Sequence, residues 1–151
     1  MKTLFLSTTA ALLLAACQAA PAPSITITEP SLRLPAPGQT TSAAYFTINN
    51  AGGADVLLSA SAPFGEVTEL HNHIHEDGIM KMRRQDSVAI PGGETVFKPG
   101  GLHVMIFNTD IENAAMNVPL TLNFEKSGAM IVTIPTAKDM PKNPKMDHSG
   151  H

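Results

Sequence analysis

A single cysteine, Cys17, occurs among 151 residues, and it stands at the end of the leader, not in the body of the chain. Once it is lipidated or removed, the remaining chain holds no thiolate. That excludes a blue-copper electron-transfer centre, a thiolate zinc site and a cysteine nucleophile, and it excludes disulfides. Charge is also sparse. The formal net charge is −3, and the pair Arg83-Arg84 is too short a basic run to bind nucleic acid. Beyond the leader the apolar runs are short, whereas proline (12) and glycine (11) are frequent. This balance favours an all-β domain with many turns over a helical one.

The leader is set aside before the fold is read. Met1-Lys2 opens a brief positive region, and Leu4 to Ala16 is apolar but short for a membrane span. It ends in Leu14-Ala15-Ala16-Cys17, the pattern of a bacterial lipobox, with ordinary cleavage at an Ala-x-Ala site among Ala16 to Ala22 as the competing reading. The expected organisation is a lipoprotein signal peptide over residues 1–17, a Pro/Ala linker over 18–24, a β domain over 25–136 and a disordered Met/His-rich tail over 137–151. Either reading of the leader makes the domain an exported one.

Along the chain, period-two alternation and turn residues predict strands at Ser24–Thr28, Thr41–Asn49, Ala54–Ala60, Val67–His75, Ile79–Arg83, Ser87–Ile90, Thr95–Phe97, Leu102–Phe107, Val118–Phe124 and Ala129–Ile134. Pro30, Pro35 and Pro37 predict an edge or a loop after the first strand, and residues 109–117 read as irregular or as one helical turn. Many short strands separated by turns indicate a β-sandwich or Greek-key barrel. Tyr45, Phe46, Phe97, Phe107 and Phe124 are expected in the core, and Met116 and Met130 are assigned to packing.

Four of the six histidines and three of the methionines lie between Glu69 and Met105; the other two histidines sit in the last four residues. The candidates come as i, i+2 pairs: His71/His73 with His75, Met80/Met82, and His103/Met105. On a strand this spacing puts both members on one face. Asp77-Gly78 predicts a tight hairpin, in which a two-residue loop sets Glu76 opposite Ile79, His75 opposite Met80 and His73 opposite Met82. Thioethers are soft neutral donors that suit Cu(I), and imidazole is compatible with it. Each methionine alone could be core filler and each histidine a solvated edge residue; it is the coincidence of three pairs that points to a metal. In the tail, Met140, Met146, His148 and His151 form a short tract read as a second, looser site, with donors better suited to Cu(II).

These residues resemble the periplasmic copper chaperone family called PCu(A)C. The likeness rests on His71, ten residues, Met82, twenty residues and His103-Val-Met105, with Ala43-Ala-Tyr-Phe-Thr-Ile48, Ile90-Pro-Gly-Gly93 and Lys98-Pro-Gly-Gly-Leu-His-Val-Met105 around them. It spans roughly residues 25–135. The resemblance implies a cupredoxin-like β-sandwich that holds one Cu(I) through His71, Met82, His103 and Met105. It also implies delivery of copper to an acceptor, such as the CuA centre of cytochrome c oxidase subunit II or another periplasmic copper chaperone. The expected setting is the periplasm of a Gram-negative bacterium, with a lipid anchor on Cys17. Two departures stand out: the second spacer is one residue short, and His73 stands where the family often has an apolar residue. The rival to a chaperone is a copper or zinc storage or scavenging lipoprotein using the same residues. An enzyme is not expected, because the only adjacent carboxylates, Glu76 and Asp77, are explained by the turn.

Overall fold

The computed structural model describes residues 20–76, 78–111 and 117–136. Every regular element among them is a strand: β1 (Ile25–Arg33), β2 (Ser42–Asn50), β3 (Asp55–Ser61), β4 (Val67–Glu76), β5 (Ile79–Gln85), β6 (Val88–Ile90), β7 (Gly93–Phe97), β8 (His103–Phe107), β9 (Asn117–Phe124) and β10 (Gly128–Pro135). They form two antiparallel sheets. One runs β1-β2-β8-β4-β5, with β7 also paired to β2; the other runs β10-β9-β3-β6. Because successive side chains point to opposite faces, each strand of the first sheet gives one set to the core and the other to the outside.

The core lies between the sheets. Ala44, Phe46, Ile48, Leu70, Phe97, Val104 and Ile106 face Leu57, Ile90, Leu120, Leu122, Phe124 and Ile134, all buried. Phe46 and Phe97 stack with ring centroids 4.5 Å apart, where β7 pairs with the second half of β2. Met130 packs against this core as expected; Met116 lies outside the described residues.

Three expectations are corrected. The first strand does not stop at Thr28. It continues to Arg33 across a register shift between Thr28 and Ser31. Glu29 takes φ +53° there, so Pro30 falls in a bulge where its missing N–H breaks no ladder bond. Tyr45 and Phe107 are not core residues. Strand parity turns both outward, Tyr45 away from buried Phe46 and Phe107 away from buried Ile106. The linker does not run free for its whole length either. Ser24 N–H donates to the Asn50 side chain, Ala51 N–H to Ser24 O and Gly53 N–H to Ala22 O, which seats Pro21–Ser24 on the turn after β2. A Cβ at Gly52 or Gly53 would overlap the carbonyl oxygens of Ala22 and Pro21, so glycine is what permits this close approach.

A buried carboxylate ties the second sheet together. Asp55, at the start of β3, accepts hydrogen bonds from the N–H groups of Val56, Lys126 and Ser127 and from the Ser127 hydroxyl, pinning the β9–β10 turn. Burial by itself would raise the Asp55 carboxyl, but these hydrogen bonds outweigh it and hold it below the usual carboxylate range.

Candidate metal centre

The outward face of the first sheet carries nearly all the unusual chemistry. On β4, Leu70 points into the core, so Glu69, His71, His73 and His75 share the opposite face. The β4–β5 ladder has the register that a two-residue turn demands: His71↔Arg84, His73↔Met82, His75↔Met80 and Glu76↔Ile79. Gly78 takes φ +77°, and Asp77 lies outside the described residues. On the other side of β4, β8 sets His103 directly opposite His71 and Met105 opposite Glu69. The strand-to-strand neighbourhood of β4 and β8 thus places His103 and Met105 beside His71, as the shared-site reading requires.

The two central imidazoles are the least exposed of the cluster, His71 at 9% and His103 at 3%, although both lie on an outward face. Aromatic neighbours cover them. The His73 ring stacks on His103 at 5.0 Å, and His71 lies 5.8 Å from His103. Tyr45 approaches His103 at 6.4 Å and Phe107 approaches His71 at 6.4 Å. The alternation Tyr45-Phe46 and Ile106-Phe107 was the signal that could have placed these two rings beside the site.

Hydrogen bonds fix which nitrogen each ring can offer. His71 Nε2–H donates to Glu69 Oε2 at 2.8 Å, which leaves Nδ1 with its lone pair. His103 Nδ1–H donates to the carbonyl of Gly101 at 2.8 Å, which leaves Nε2. Such partners hold a metal-ligating histidine in one tautomer and orientation. The Nδ1 atoms of His71 and His73 are buried and have no hydrogen-bond partner in the structure. Buried ring nitrogens are ordinarily satisfied, so two orphaned ring nitrogens in one cluster, one of them the His71 lone pair, fit an absent electrophile. His103 is held neutral below the usual imidazole range, first by desolvation and then by repulsion from His73, His71 and Arg33, against the opposing Gly101 bond.

The Gly101 carbonyl also accepts the backbone N–H of His73 at 3.2 Å. It belongs to the turn Lys98-Pro99-Gly100-Gly101, closed by Gly101 N–H to Lys98 O, with proline second and Gly100 at φ +77°. This is the residue pattern of a type II turn.

The structure therefore brings together His71, His73, His103 and Met105. Met82 stands one diagonal from His71 on the edge strand β5, 44% exposed. His75 and Met80 sit apart from these, at the hairpin tip, with His75 Nδ1 3.4 Å from Met80 Sδ. Among the described residues no three His, Cys, Asp or Glu side chains close into a metal-binding group. Cys17, Met140, Met146, His148 and His151 lie outside the described residues.

Comparison with known proteins follows the same lines. The chain is similar to a copper-bound PCuAC domain from PmoF2 (24% identity, 74% of this chain and 91% of that one, TM-score 0.60). It is similar to the apo PCuAC domain from PmoF1 (22% identity, 78% and 94%, TM-score 0.62). It is also similar to the Cu(I) form of DR1885 from Deinococcus radiodurans (23% identity, 85% and 87%, TM-score 0.60). At these identities the likeness is one of fold, and it makes the all-β architecture the cupredoxin-like sandwich of PCuAC domains. No curated protein matches the chain. A family model described as "Putative lipoprotein LpqE-like" matches residues 25–136, and the chain belongs to this LpqE-like family.

Proposed function

We propose that the domain binds one Cu(I) on the outward face of its first sheet, through His71, His103, Met105 and Met82, and carries it as cargo to an accepting protein. The observation that carries this reading is the orphaned, buried Nδ1 of His71, whose tautomer Glu69 fixes, directly opposite His103 on the neighbouring strand. Two imidazoles and two thioethers form a neutral, soft donor set, and such a set favours Cu(I) over Zn²⁺ or Ca²⁺. Similar folds were solved as a copper-bound domain and as a Cu(I) protein, which supports copper as the metal.

A carrier, not an enzyme, suits the surroundings. Glu69 is committed to His71, and Glu76 lies on the opposite face of the hairpin, held below the usual carboxylate range by hydrogen bonds from Lys81 and Arg83. Neither is available beside the donors as a general acid or base. The family's lipoprotein description supports an exported protein anchored at Cys17, and an acceptor such as the CuA centre of cytochrome c oxidase subunit II is what the resemblance of the His71, Met82 and His103-Val-Met105 pattern implies.

The test is a Cu(I) titration of the full chain against a competing chelator, for the native protein, Met82→Ala and His103→Ala. Each variant is expected to weaken binding at least about tenfold, ~1.4 kcal/mol. If neither does, the donor set is wrong. Mixing the loaded protein with an apo CuA domain then separates a carrier, which transfers copper, from a store, which retains it.

A further inference from the structure

His75 and Met80 are not needed by the four-donor site, yet they face each other across the hairpin with donor atoms 3.4 Å apart. We propose that this pair is a second, outer Cu(I) position, and that copper passes between it and the inner site along the His73/Met82 pair. The proposal rests on the Cu(I) reading of the inner site and adds an entry and exit route to it.

Four observations carry it. First, the separation fits a metal. With bonds of about 2.0 Å to nitrogen and 2.3 Å to sulfur, as at zinc, a tetrahedral angle separates the two donors by about 3.5 Å. Second, the methionines are in the wrong place for packing. Met80 is 53% exposed and Met82 44% exposed on an edge strand, where a gap-filling methionine would be buried. Third, the spacing is regular. His75/Met80 and His73/Met82 are successive same-face rungs, and the next position on β4 is His71 of the inner site. Rungs two residues apart lie about 7 Å from each other, so long flexible side chains can hand an ion over without releasing it to water. Fourth, the described charges nearest the outer pair lie on the other face of the hairpin. Glu76 accepts from Lys81 and Arg83 there, so among the described residues no carboxylate competes at the outer pair. The soft thioether of Met80, beside an imidazole that Cu(I) accepts, favours Cu(I) over Cu(II) or Zn²⁺. Transfer is ligand exchange only: the copper stays Cu(I) and no electron moves.

The test follows the full chain with ¹³C-methyl-labelled methionine while Cu(I) is added from a chelator buffer. The first equivalent is expected to shift Met82 and Met105, and the second to shift Met80 before the tail methionines Met140 and Met146. In the double variant His75→Ala/Met80→Leu, the affinity of the first equivalent should stay within about twofold. Its rate of release to excess chelator should fall about tenfold. A Met80 signal that stays fixed through two equivalents overturns the proposal, and so does an unchanged release rate in the double variant. Failure of the first equivalent to shift Met82 and Met105 would instead sink the inner site, so the two readings fail separately.

Discussion

Glu69→Gln is the most discriminating perturbation of the inner site, because it replaces none of the proposed metal ligands. The Glu69 carboxylate accepts the His71 Nε2–H at 2.8 Å and has Arg84 at 3.7 Å from its other oxygen. Across the ring, a metal on Nδ1 would lie roughly 6 Å from the carboxylate; two unit charges there interact by about 3 kcal/mol at an effective dielectric of ~20. Arg84 and solvent reduce this, since Glu69 is about a quarter exposed. A remaining loss of about 1.4 kcal/mol, or tenfold in Cu(I) affinity, is expected, at the lower end of what partners of metal-bound histidines contribute. Glutamine keeps the shape and can still accept the bond, so unfolding free energy should change by less than about 1 kcal/mol. The assay is Cu(I) competition against a chelator, paired with urea unfolding of the apo protein. Ring ¹⁵N shifts should show His71 protonated at Nε2 before copper is added. Unchanged Cu(I) affinity in Glu69→Gln, with His71 still in that tautomer, would refute the claim that Glu69 prepares His71 as an Nδ1 ligand.

Other outcomes follow from the same geometry. Asp55→Ala removes the acceptor of four hydrogen bonds far from the donors, so it should destabilise the domain by about 2–4 kcal/mol in urea while leaving Cu(I) affinity unchanged. Because the Asp55 carboxyl is lowered in the fold, its contribution is present above the unfolded value near 3.9 and is lost as pH falls through the folded one. His103 has linkage of the same sign, in a higher pH window. Its folded value is lowered, so the unfolded chain takes up more protons below about pH 6.5, and apo stability should decline from there downward. His103→Gln should flatten that decline in unfolding measured from pH 7.5 to 5. His73→Leu removes an imidazole stacked on His103 and is expected to lower Cu(II) affinity more than Cu(I) affinity, read by EPR and chelator competition.

The sequence revealed the site through local rules and concealed what depended on distant pairing. Asp77-Gly78 was enough to set His73 opposite Met82, because a tight turn fixes parity for the whole hairpin. The pairing of His71 with His103 was legible only as a shared motif, since 31 residues separate the two and no local rule brings β8 beside β4. Tyr45 and Phe107 were misassigned by residue type: aromatic rings read as core, while parity with Phe46 and Ile106 turned them onto the donors. The bulge at Glu29-Pro30 was read as an interruption because a proline rule describes the lost donor and not the strand that resumes beyond it. The Gly101 carbonyl left no trace in side-chain chemistry, yet it holds the ring of His103 and the backbone of His73.

The docking of Pro21–Ser24 gives the molecule a direction. Ala44 and Leu70 both stand level with Val104 in the first sheet, and Asn50 and Glu76 each lie six residues farther along parallel courses. The turn that grips the N-terminal segment and the tip of the β4–β5 hairpin are therefore at the same end of the sandwich. An anchor at Cys17, as proposed, would stand only four positions before Pro21, a reach of ~14 Å fully extended. On so short a leash the domain could not tumble freely above a bilayer. It would stand with its hairpin end toward the lipid, offering its cargo to proteins embedded there before any that diffuse past.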